Sequence, residues 1–153
     1  MITIIEVTDL AGNLLSESAL NRAESVHRQL RPKLPENYAD TMRRVFAQGG
    51  RMLLAEVGGV VRGVAVWRCY ENTAYGRFVY VDDLISDETH RSKGVGKALL
   101  DRCREIALAQ QCQMLTLDSG THRTQAHKFY FREHMTISAF HFVEPLDRAE
   151  VTG

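Results

Sequence analysis

Apolar residues recur along this chain with two different periods, and the change of period predicts the order of its strands and helices. Five short apolar runs are typical of strands: 2–7, 51–57, 60–70, 76–86 and 114–118. Apolar residues at helical spacing predict four helices: about 18–30, about 36–48, one from residue 95 through at least 106, and about 123–133. An alternating stretch, residues 136–143, predicts a β-rich tail.

The connections between these runs predict how the strands pair. Gly58 and Gly59 stand between two apolar runs, which is typical of an antiparallel hairpin whose turn requires positive φ. The strand 76–86, the helix after it and the strand 114–118 follow with a short return. Such a unit favours a parallel pair with a right-handed crossover. The pattern therefore predicts a mixed α/β sheet.

Composition narrows the classes of protein that fit. The chain has 153 residues, which favours a single domain over residues 1–153. Its 19 basic and 19 acidic side chains balance, so charge favours neither nucleic-acid nor membrane binding. Three cysteines without C-x-x-C spacing argue against a disulfide framework or a zinc site. The first apolar run is too short for a signal peptide, so we expect a reducing cytoplasm and no membrane span.

A glycine-rich loop carries the clearest chemistry of the sequence. Its residues are Arg91, Ser92, Lys93, Gly94, Val95, Gly96 and Lys97, and they join a predicted strand to a predicted helix. Backbone N–H groups at a helix start have no helical acceptors, and glycines let an anion approach them closely. This glycine loop, residues 91–97, therefore predicts a phosphorylated ligand.

The spacing within the glycine loop separates three kinds of phosphate-binding motif. A nucleotide P-loop would need Gly at Arg91 and Ser or Thr at Ala98. A dinucleotide motif would need Gly or Ala at Leu99. The remaining pattern, R-x-x-G-x-G, resembles the pyrophosphate motif of the GCN5-related N-acetyltransferases (GNAT), a family that uses acetyl-CoA.

The resemblance to the GNAT family extends along nearly the whole chain and becomes specific at two motifs. The first covers residues 83–100, and the second, residues 126–133, is similar to the family's A-x-x-F-Y-x-x-x-G-F. Four residues depart from the family pattern, where apolar, Pro, Asn and Gly residues respectively are usual: Ser86, Glu88, Arg123 and His134. The resemblance implies an α/β fold of the α+β type, with a mostly antiparallel sheet, helices on both faces and one parallel β-α-β unit around the glycine loop.

The resemblance also implies which residues hold the cosubstrate and which one donates a proton. The pantetheine arm would lie along Leu84, Ile85 and Ser86, and the backbone of the glycine loop would surround the pyrophosphate. Tyr130 matches the tyrosine that acts as general acid for the coenzyme A thiolate. Read without the motif, Tyr130 would instead pack on a helix face.

Two carboxylates and six histidines complete the candidate residues. Asp82 and Asp83 interrupt an apolar strand, where a charge must be paired or face a cleft. Alternation predicts that they point to opposite faces, so that at most one accepts the amine's proton; hydrogen bonding to neighbouring loops is the alternative. The histidines have no ligand spacing, so none is assigned a role and no metal site is predicted.

The sequence thus predicts a coenzyme A-dependent N-acetyltransferase that transfers an acetyl group to a primary amine by direct attack on the thioester. The acceptor stays open among small amines, amino acids, antibiotics and protein termini. A non-catalytic acyl-CoA binding or sensing module of the same fold is the alternative, and a homodimer is compatible with either.

Overall fold

The computed structural model describes residues 1–147. These residues fall into two compact units, Met1–Leu117 and the segment that begins at Asp118. The last six residues of the single domain predicted for residues 1–153 lie outside the described part, and that domain boundary stays a prediction.

The first unit contains one mixed sheet and three helices. Its elements run in the order β1 (Ile2–Glu6), α1 (Glu17–Leu30), α2 (Tyr38–Ala47), β2 (Arg51–Val57), β3 (Val60–Asn72), β4 (Gly76–Ser86), a short 3-10 helix (Glu88–His90), α3 (Val95–Ala109) and β5 (Met114–Leu117). The strands pair in sequence order, antiparallel except for β4 with β5. The predicted fold class is confirmed.

Local signals set the boundaries of these elements. The Ser16 side chain caps α1 by accepting a hydrogen bond from the Ala19 N–H at 3.1 Å, and Asn37 caps α2 in the same way. Gly58 and Gly59 both have positive φ, at 58° and 77°, so the hairpin between β2 and β3 has the geometry that the two glycines predict.

The helices cover both faces of the sheet, because successive strand residues point to opposite sides. In β2, Met52 and Leu54 pack under α1 and α2, whereas Leu53 and Ala55 pack against α3. The residues at the centre of each hydrophobic cluster have almost no solvent-exposed surface. The unit therefore has three layers, with the sheet in the middle.

A β-bulge at Asp82 changes which side chains of β4 face which layer. Asp83 pairs with Val66 and Val81 with Trp67, so Asp82 is an extra residue without a partner in β3. Regular alternation would put Val81 and Ile85 on one face, but Val81 packs in the α3 cluster and Ile85 in the α1/α2 cluster. Asp82 and Asp83 consequently both face the α1/α2 side, and the prediction of opposite faces is wrong.

The second unit contains α4 (Thr124–Arg132) and an extended tail. The helix ends in a Schellman motif, with the His134 N–H donating to Phe131 O and the Met135 N–H to Tyr130 O, both at 3.0 Å. His134 has φ of 66°, which explains why the family pattern prefers glycine at this position.

The predicted β-rich tail is wrong for the described residues. Residues 136–143 form no strand, and the apolar side chains Ile137, Phe140 and Phe142 are 70 to 91% exposed. Alternation marks a segment that suits a strand, but a strand also needs a backbone partner, and residues 1–147 provide none for this segment.

The cysteines are all free thiols. The sulfurs of Cys69 and Cys112 lie 3.5 Å apart. Cys103 lies on the buried face of α3, where burial raises the pKa of its thiol to about 12. Among the helices that the structure describes, none has the length and apolar character needed to cross a membrane.

Candidate active site

The glycine loop presents the backbone N–H groups of the first turn of α3. Gly94 is the N-cap residue in a left-handed conformation, with φ of 87°, and its position provides no side-chain cap. The N–H groups of Val95, Gly96 and Lys97 belong to the first helical turn, which has no helical acceptors. Because the helix dipole also places partial positive charge there, this end of α3 suits an anion.

Basic side chains flank the glycines of the loop, and the backbone N–H groups form the surface that suits an anion. Arg91, Ser92 and Lys93 are exposed, and Ser92 has positive φ of 63°. Lys97 lies 3.2 Å from Asp101 one turn further along α3. Such an exposed pair contributes little to stability.

Asp87 fixes the turn that leads into the glycine loop. Its carboxylate accepts hydrogen bonds from Arg62 at 2.8 Å and Gln29 at 3.1 Å, and its N–H donates to Arg62 O. Burial opposes ionisation, but the bonds from Arg62, Gln29 and Thr89 lower the pKa of Asp87 to about 2. These bonds tie the segment after β4 to both α1 and β3.

Gly63 lets α3 approach the sheet closely, which the sequence did not reveal. A Cβ added to Gly63 would clash with Val95 and lie 2.8 Å from Leu99 Cδ1. Gly63 lies opposite Ser86 in the register of β3 and β4. A side chain at this position would therefore displace the N-terminus of α3 from the end of β4.

In the described part of the chain, one edge at the end of β4 has no neighbouring strand. β5 pairs with β4 only from Phe78 to Val81, whereas β3 covers the opposite edge of β4 as far as Ser86. Within residues 1–147, no strand pairs with the β5-facing edge of Leu84–Ser86. An extended, amide-containing molecule can add to such an edge as a further strand. The Ile85 side chain is buried in the core, so this edge would bind through its backbone.

A cavity of about 320 Å³ opens on the α1/α2 side of the sheet. Apolar side chains form one part of its wall, including Leu34, Met42 and Val45. The polar part contains five residues that can carry charge: His27, Arg31, Arg68, Asp82 and Asp83. The bulge at Asp82 brings both carboxylates into this cavity, which we call the acceptor pocket after the role that we propose for it.

The two carboxylates of the acceptor pocket differ in their partners. Asp83 uses both oxygens, because Oδ1 accepts from Arg31 and Oδ2 lies 2.7 Å from His27 Nε2. Asp82 uses only Oδ2, which accepts from Arg68 Nε at 2.7 Å. None of residues 1–147 forms a hydrogen bond with Asp82 Oδ1. One carboxylate oxygen is therefore available to a ligand.

Their environments also move the two pKa values in opposite directions. Burial raises the pKa of Asp82 above its ordinary value, although the bond and charge of Arg68 oppose the shift. Burial acts on Asp83 in the same sense, but His27 and Arg31 outweigh it and lower the pKa of Asp83. Asp82 is accordingly the stronger proton acceptor of the two.

His27 is a site residue that sequence reasoning missed. Its side chain is 1% exposed, with Nδ1 2.8 Å from the Tyr38 hydroxyl and Nε2 next to Asp83. Burial raises the pKa of Tyr38, so its hydroxyl keeps its proton and can donate a hydrogen bond. The hydroxyl can donate to His27 Nδ1, while the N–H at His27 Nε2 donates to Asp83. The available signal was a polar residue on the apolar face of α1, since a buried polar group requires partners.

Two arginines of the acceptor pocket were also missed. Arg31 belongs to a basic segment that reads as a solvated helix face, yet it contacts Asp83 and donates to Asp82 O at 3.1 Å. Arg68 interrupts the apolar run of β3 and reaches both Asp82 and Gln48 O. A charge inside a strand was the signal for Arg68, as it was for the two aspartates.

Tyr130 lies in α4 of the second unit. Its ring stacks on Phe129, with centroids 5.4 Å apart, and its hydroxyl makes no hydrogen bond with residues 1–147. Burial raises the pKa of Tyr130, although the charge of Arg123 opposes the shift, so the hydroxyl keeps its proton at neutral pH. This state suits a proton donor, and the catalytic role of Tyr130 stays a prediction.

Comparison with known families identifies the class of protein. A family model described as "Acetyltransferase (GNAT) family" matches residues 19–134, well over half of the chain. The chain therefore belongs to the GNAT family, whose members form a class of acyltransferases, and the resemblance drawn from the two motifs is confirmed.

One curated relative is an uncharacterized N-acetyltransferase, YhdJ, of Bacillus subtilis (strain 168). It is 33% identical over 92 residues, a match that covers 50% of this chain and 65% of the relative. The chain thus matches slightly less than two thirds of that protein's length.

Solved structures share the fold at low sequence identity. A transcriptional regulator from Bacillus halodurans C-125 has a TM-score of 0.78 at 17% identity, covering 95% of this chain and 100% of that one. A Trypanosoma brucei acetyltransferase gives 0.75 at 19%, with the same coverage. The aminoglycoside N-acetyltransferase AAC(6')-Iy in complex with CoA gives 0.79 at 17%, covering 96% and 95%.

Proposed function

We propose that this protein transfers the acetyl group of acetyl-CoA to a primary amine, by direct attack of the amine on the thioester. One observation carries the proposal: within residues 1–147, the chain runs from an edge of β4 that no strand pairs with to the N–H groups of Val95 and Gly96 at the start of α3. An amide-containing pantetheine arm needs the first feature and a pyrophosphate needs the second. Membership of the GNAT family supports the same conclusion.

The residues proposed to hold coenzyme A act mainly through their backbone. Leu84, Ile85 and Ser86 would pair with the pantetheine arm, and the glycine loop, residues 91–97, would bind the pyrophosphate. Gly94 supplies the left-handed turn that the loop needs, and Gly63 keeps α3 close enough to β4 for one molecule to reach both features.

The acceptor pocket would hold the amine and its proton. Amine attack forms a C–N bond and breaks the C–S bond, so the nitrogen must lose one proton and the leaving sulfur must gain one. Asp82 is our proposed proton acceptor, because it has a free oxygen and a raised pKa. Asp83, whose oxygens are both occupied, would position the pocket's other side chains. Tyr130 is the proposed donor to the sulfur, on the evidence of the family motif.

Two measurements test the proposed function together. The first is calorimetric binding of coenzyme A, with ATP and NAD, two other phosphorylated ligands, as controls at equal concentration. The second is thiol release from acetyl-CoA across a panel of primary amines. We expect coenzyme A alone to bind and at least one amine to give turnover. Binding without thiol release would identify the non-catalytic module, and binding of ATP in place of coenzyme A would contradict the proposal.

The proposed acceptor is a small molecule or a protein amine, without nucleic-acid or membrane partners. Aminoglycosides are acceptors of a structural neighbour by its name, and they belong in the panel on that ground alone. Three free thiols suit the reducing cytoplasm that we propose as the protein's location.

A further inference from the structure

We propose that the acceptor is a zwitterion: a small primary amine that also carries an oxyanion group such as a carboxylate. In this assignment, Arg31 and Arg68 bind the oxyanion and Asp82 binds the amine. The inference rests on the proposed function and names the substrate class of the same pocket.

The first argument is the charge of the acceptor pocket. Its two carboxylates, Asp82 and Asp83, are balanced by two guanidinium groups, each in contact with one of them. A pocket that selected a purely cationic amine would gain from a net negative charge, and the second arginine would weaken that selection. Equal numbers of both signs in one small cavity match a ligand that itself carries both.

The second argument is that both arginines keep donors for a ligand. Arg31 uses Nε and Nη2 for Asp83 and Asp82 O, and Arg68 uses Nε and Nη1 for Asp82 and Gln48 O. Arg31 Nη1 and Arg68 Nη2 form no hydrogen bond with residues 1–147. Guanidinium N–H groups are strong donors to oxyanions, so the remaining donors suit a carboxylate.

The third argument is the position of Asp82 Oδ1, the carboxylate oxygen that can accept a hydrogen bond from a ligand. Asp82 lies between the two arginines in the network, since Arg68 bonds its carboxylate and Arg31 bonds its backbone oxygen. Its free Oδ1 can accept a hydrogen bond from an ammonium or amine group. A ligand of a few carbon atoms would then bridge unlike charges that belong to one pocket.

The size of the pocket limits the length of that bridge. A volume of about 320 Å³ is at the lower end for small-molecule sites, which span roughly 300–1,000 Å³. The apolar wall formed by Leu34, Met42 and Val45 leaves room for a short methylene chain. An amino acid or a similarly short amine with one oxyanion therefore fits the volume and the chemistry of the wall.

The test compares amines that differ only in the second group. Glycine, 3-aminopropionate and 4-aminobutyrate are each paired with the alkylamine in which a methyl group replaces the carboxylate. Diamines of three and four carbons provide the dicationic comparison. We expect kcat/KM, measured by thiol release, to be at least about tenfold higher for one amino acid than for its alkylamine.

A difference in kcat/KM between an amino acid and its alkylamine could come from binding in the pocket or from the lower basicity of the amino acid's amine. Arginine variants distinguish these two causes. We expect Arg31→Gln and Arg68→Gln each to lower the ratio of kcat/KM between amino acid and alkylamine by about fivefold or more. Arg43→Gln is the matched control, because Arg43 also pairs with carboxylates on a helix surface but does not line the pocket, and it should leave the ratio unchanged.

A second measurement uses only the parent protein, so it does not depend on the folding of a variant. Propionate carries the oxyanion without the amine, and we expect it to inhibit acetylation competitively against the amine. Equal or better use of alkylamines and diamines, or no inhibition by propionate, would overturn the inference and leave the proposed function intact. No thiol release with any acceptor would contradict the proposed function, and the inference would fall with it.

Discussion

His27 Nε2 lies 2.7 Å from Asp83 Oδ2, across 56 residues of sequence, and joins α1 to the bulged part of β4. On its other side His27 contacts the Tyr38 hydroxyl, so one buried imidazole connects three elements. The contact favours the ionised form of Asp83, a carboxylate in the wall of the acceptor pocket. It also gives α1 a fixed position over the strand that carries both aspartates.

We predict that His27→Leu lowers the free energy of unfolding by about 3 kcal/mol, because it leaves Asp83 and the Tyr38 hydroxyl without their buried partner. Tyr38→Phe removes a single hydroxyl and should lower the same quantity by about 1 kcal/mol. Urea unfolding followed by circular dichroism measures both. If His27→Leu is as stable as the parent, the network contributes nothing to the fold.

The two aspartates should differ in function because they differ in free oxygens. We predict that Asp82→Asn lowers kcat/KM about tenfold or more and removes the acidic limb of its pH profile, since the variant cannot accept a proton. Asp83→Asn should change stability more than the pH profile. Thiol-release kinetics from pH 5 to 9 compare the two variants, and identical profiles for both and for the parent would make these carboxylates structural.

The two aspartates should affect the pH dependence of the free energy of unfolding in opposite directions. The pKa of Asp83 is lowered in the fold, so its contribution is full above the unfolded pKa of about 3.9 and is lost as pH falls through the lower folded value. The pKa of Asp82 is raised, so protonation there favours the folded state as pH falls. Urea unfolding between pH 3 and 7 should therefore show a shallower acid loss for Asp83→Asn and a steeper one for Asp82→Asn than for the parent.

Gly94→Ala should weaken coenzyme A binding, because a methyl group would occupy space beside the N–H groups that the pyrophosphate needs. An added Cβ meets only Ile2, at 3.7 Å, so positive φ is the main strain on the fold itself, about 1 kcal/mol. Gly58→Ala is the matched control, since Gly58 also has positive φ and open space but lies in the β2–β3 hairpin. Calorimetry should show weaker binding of coenzyme A, by about tenfold, only for Gly94→Ala.

Features that depend on neighbouring residues could be predicted from the sequence, whereas those that depend on distant pairing could not. The glycine loop belongs to the first kind, because spacing and positive φ are local properties of Gly94 and its neighbours. The bulge at Asp82 belongs to the second, since one extra residue shows only against the partner strand β3. The sequence could not predict His27 and Arg31 as site residues for the same reason: their partner Asp83 lies more than 50 positions away.

Tyr130→Phe gives the most direct test of the proposed general acid. The change removes one hydroxyl and little volume, and that hydroxyl has no hydrogen-bond partner in residues 1–147, so stability should change by less than about 1 kcal/mol. General acid catalysis contributes about a hundredfold or more, but a thiolate is already a fair leaving group, so we expect kcat to fall by at least about tenfold. Coenzyme A affinity should stay the same by calorimetry.

Phe129→Leu, which changes the stacked neighbour and keeps the hydroxyl, is the control for altered packing. Equal kcat values for the parent and Tyr130→Phe across the pH range would show that Tyr130 serves only in packing, as its stacking on Phe129 does, and another group would have to protonate the sulfur.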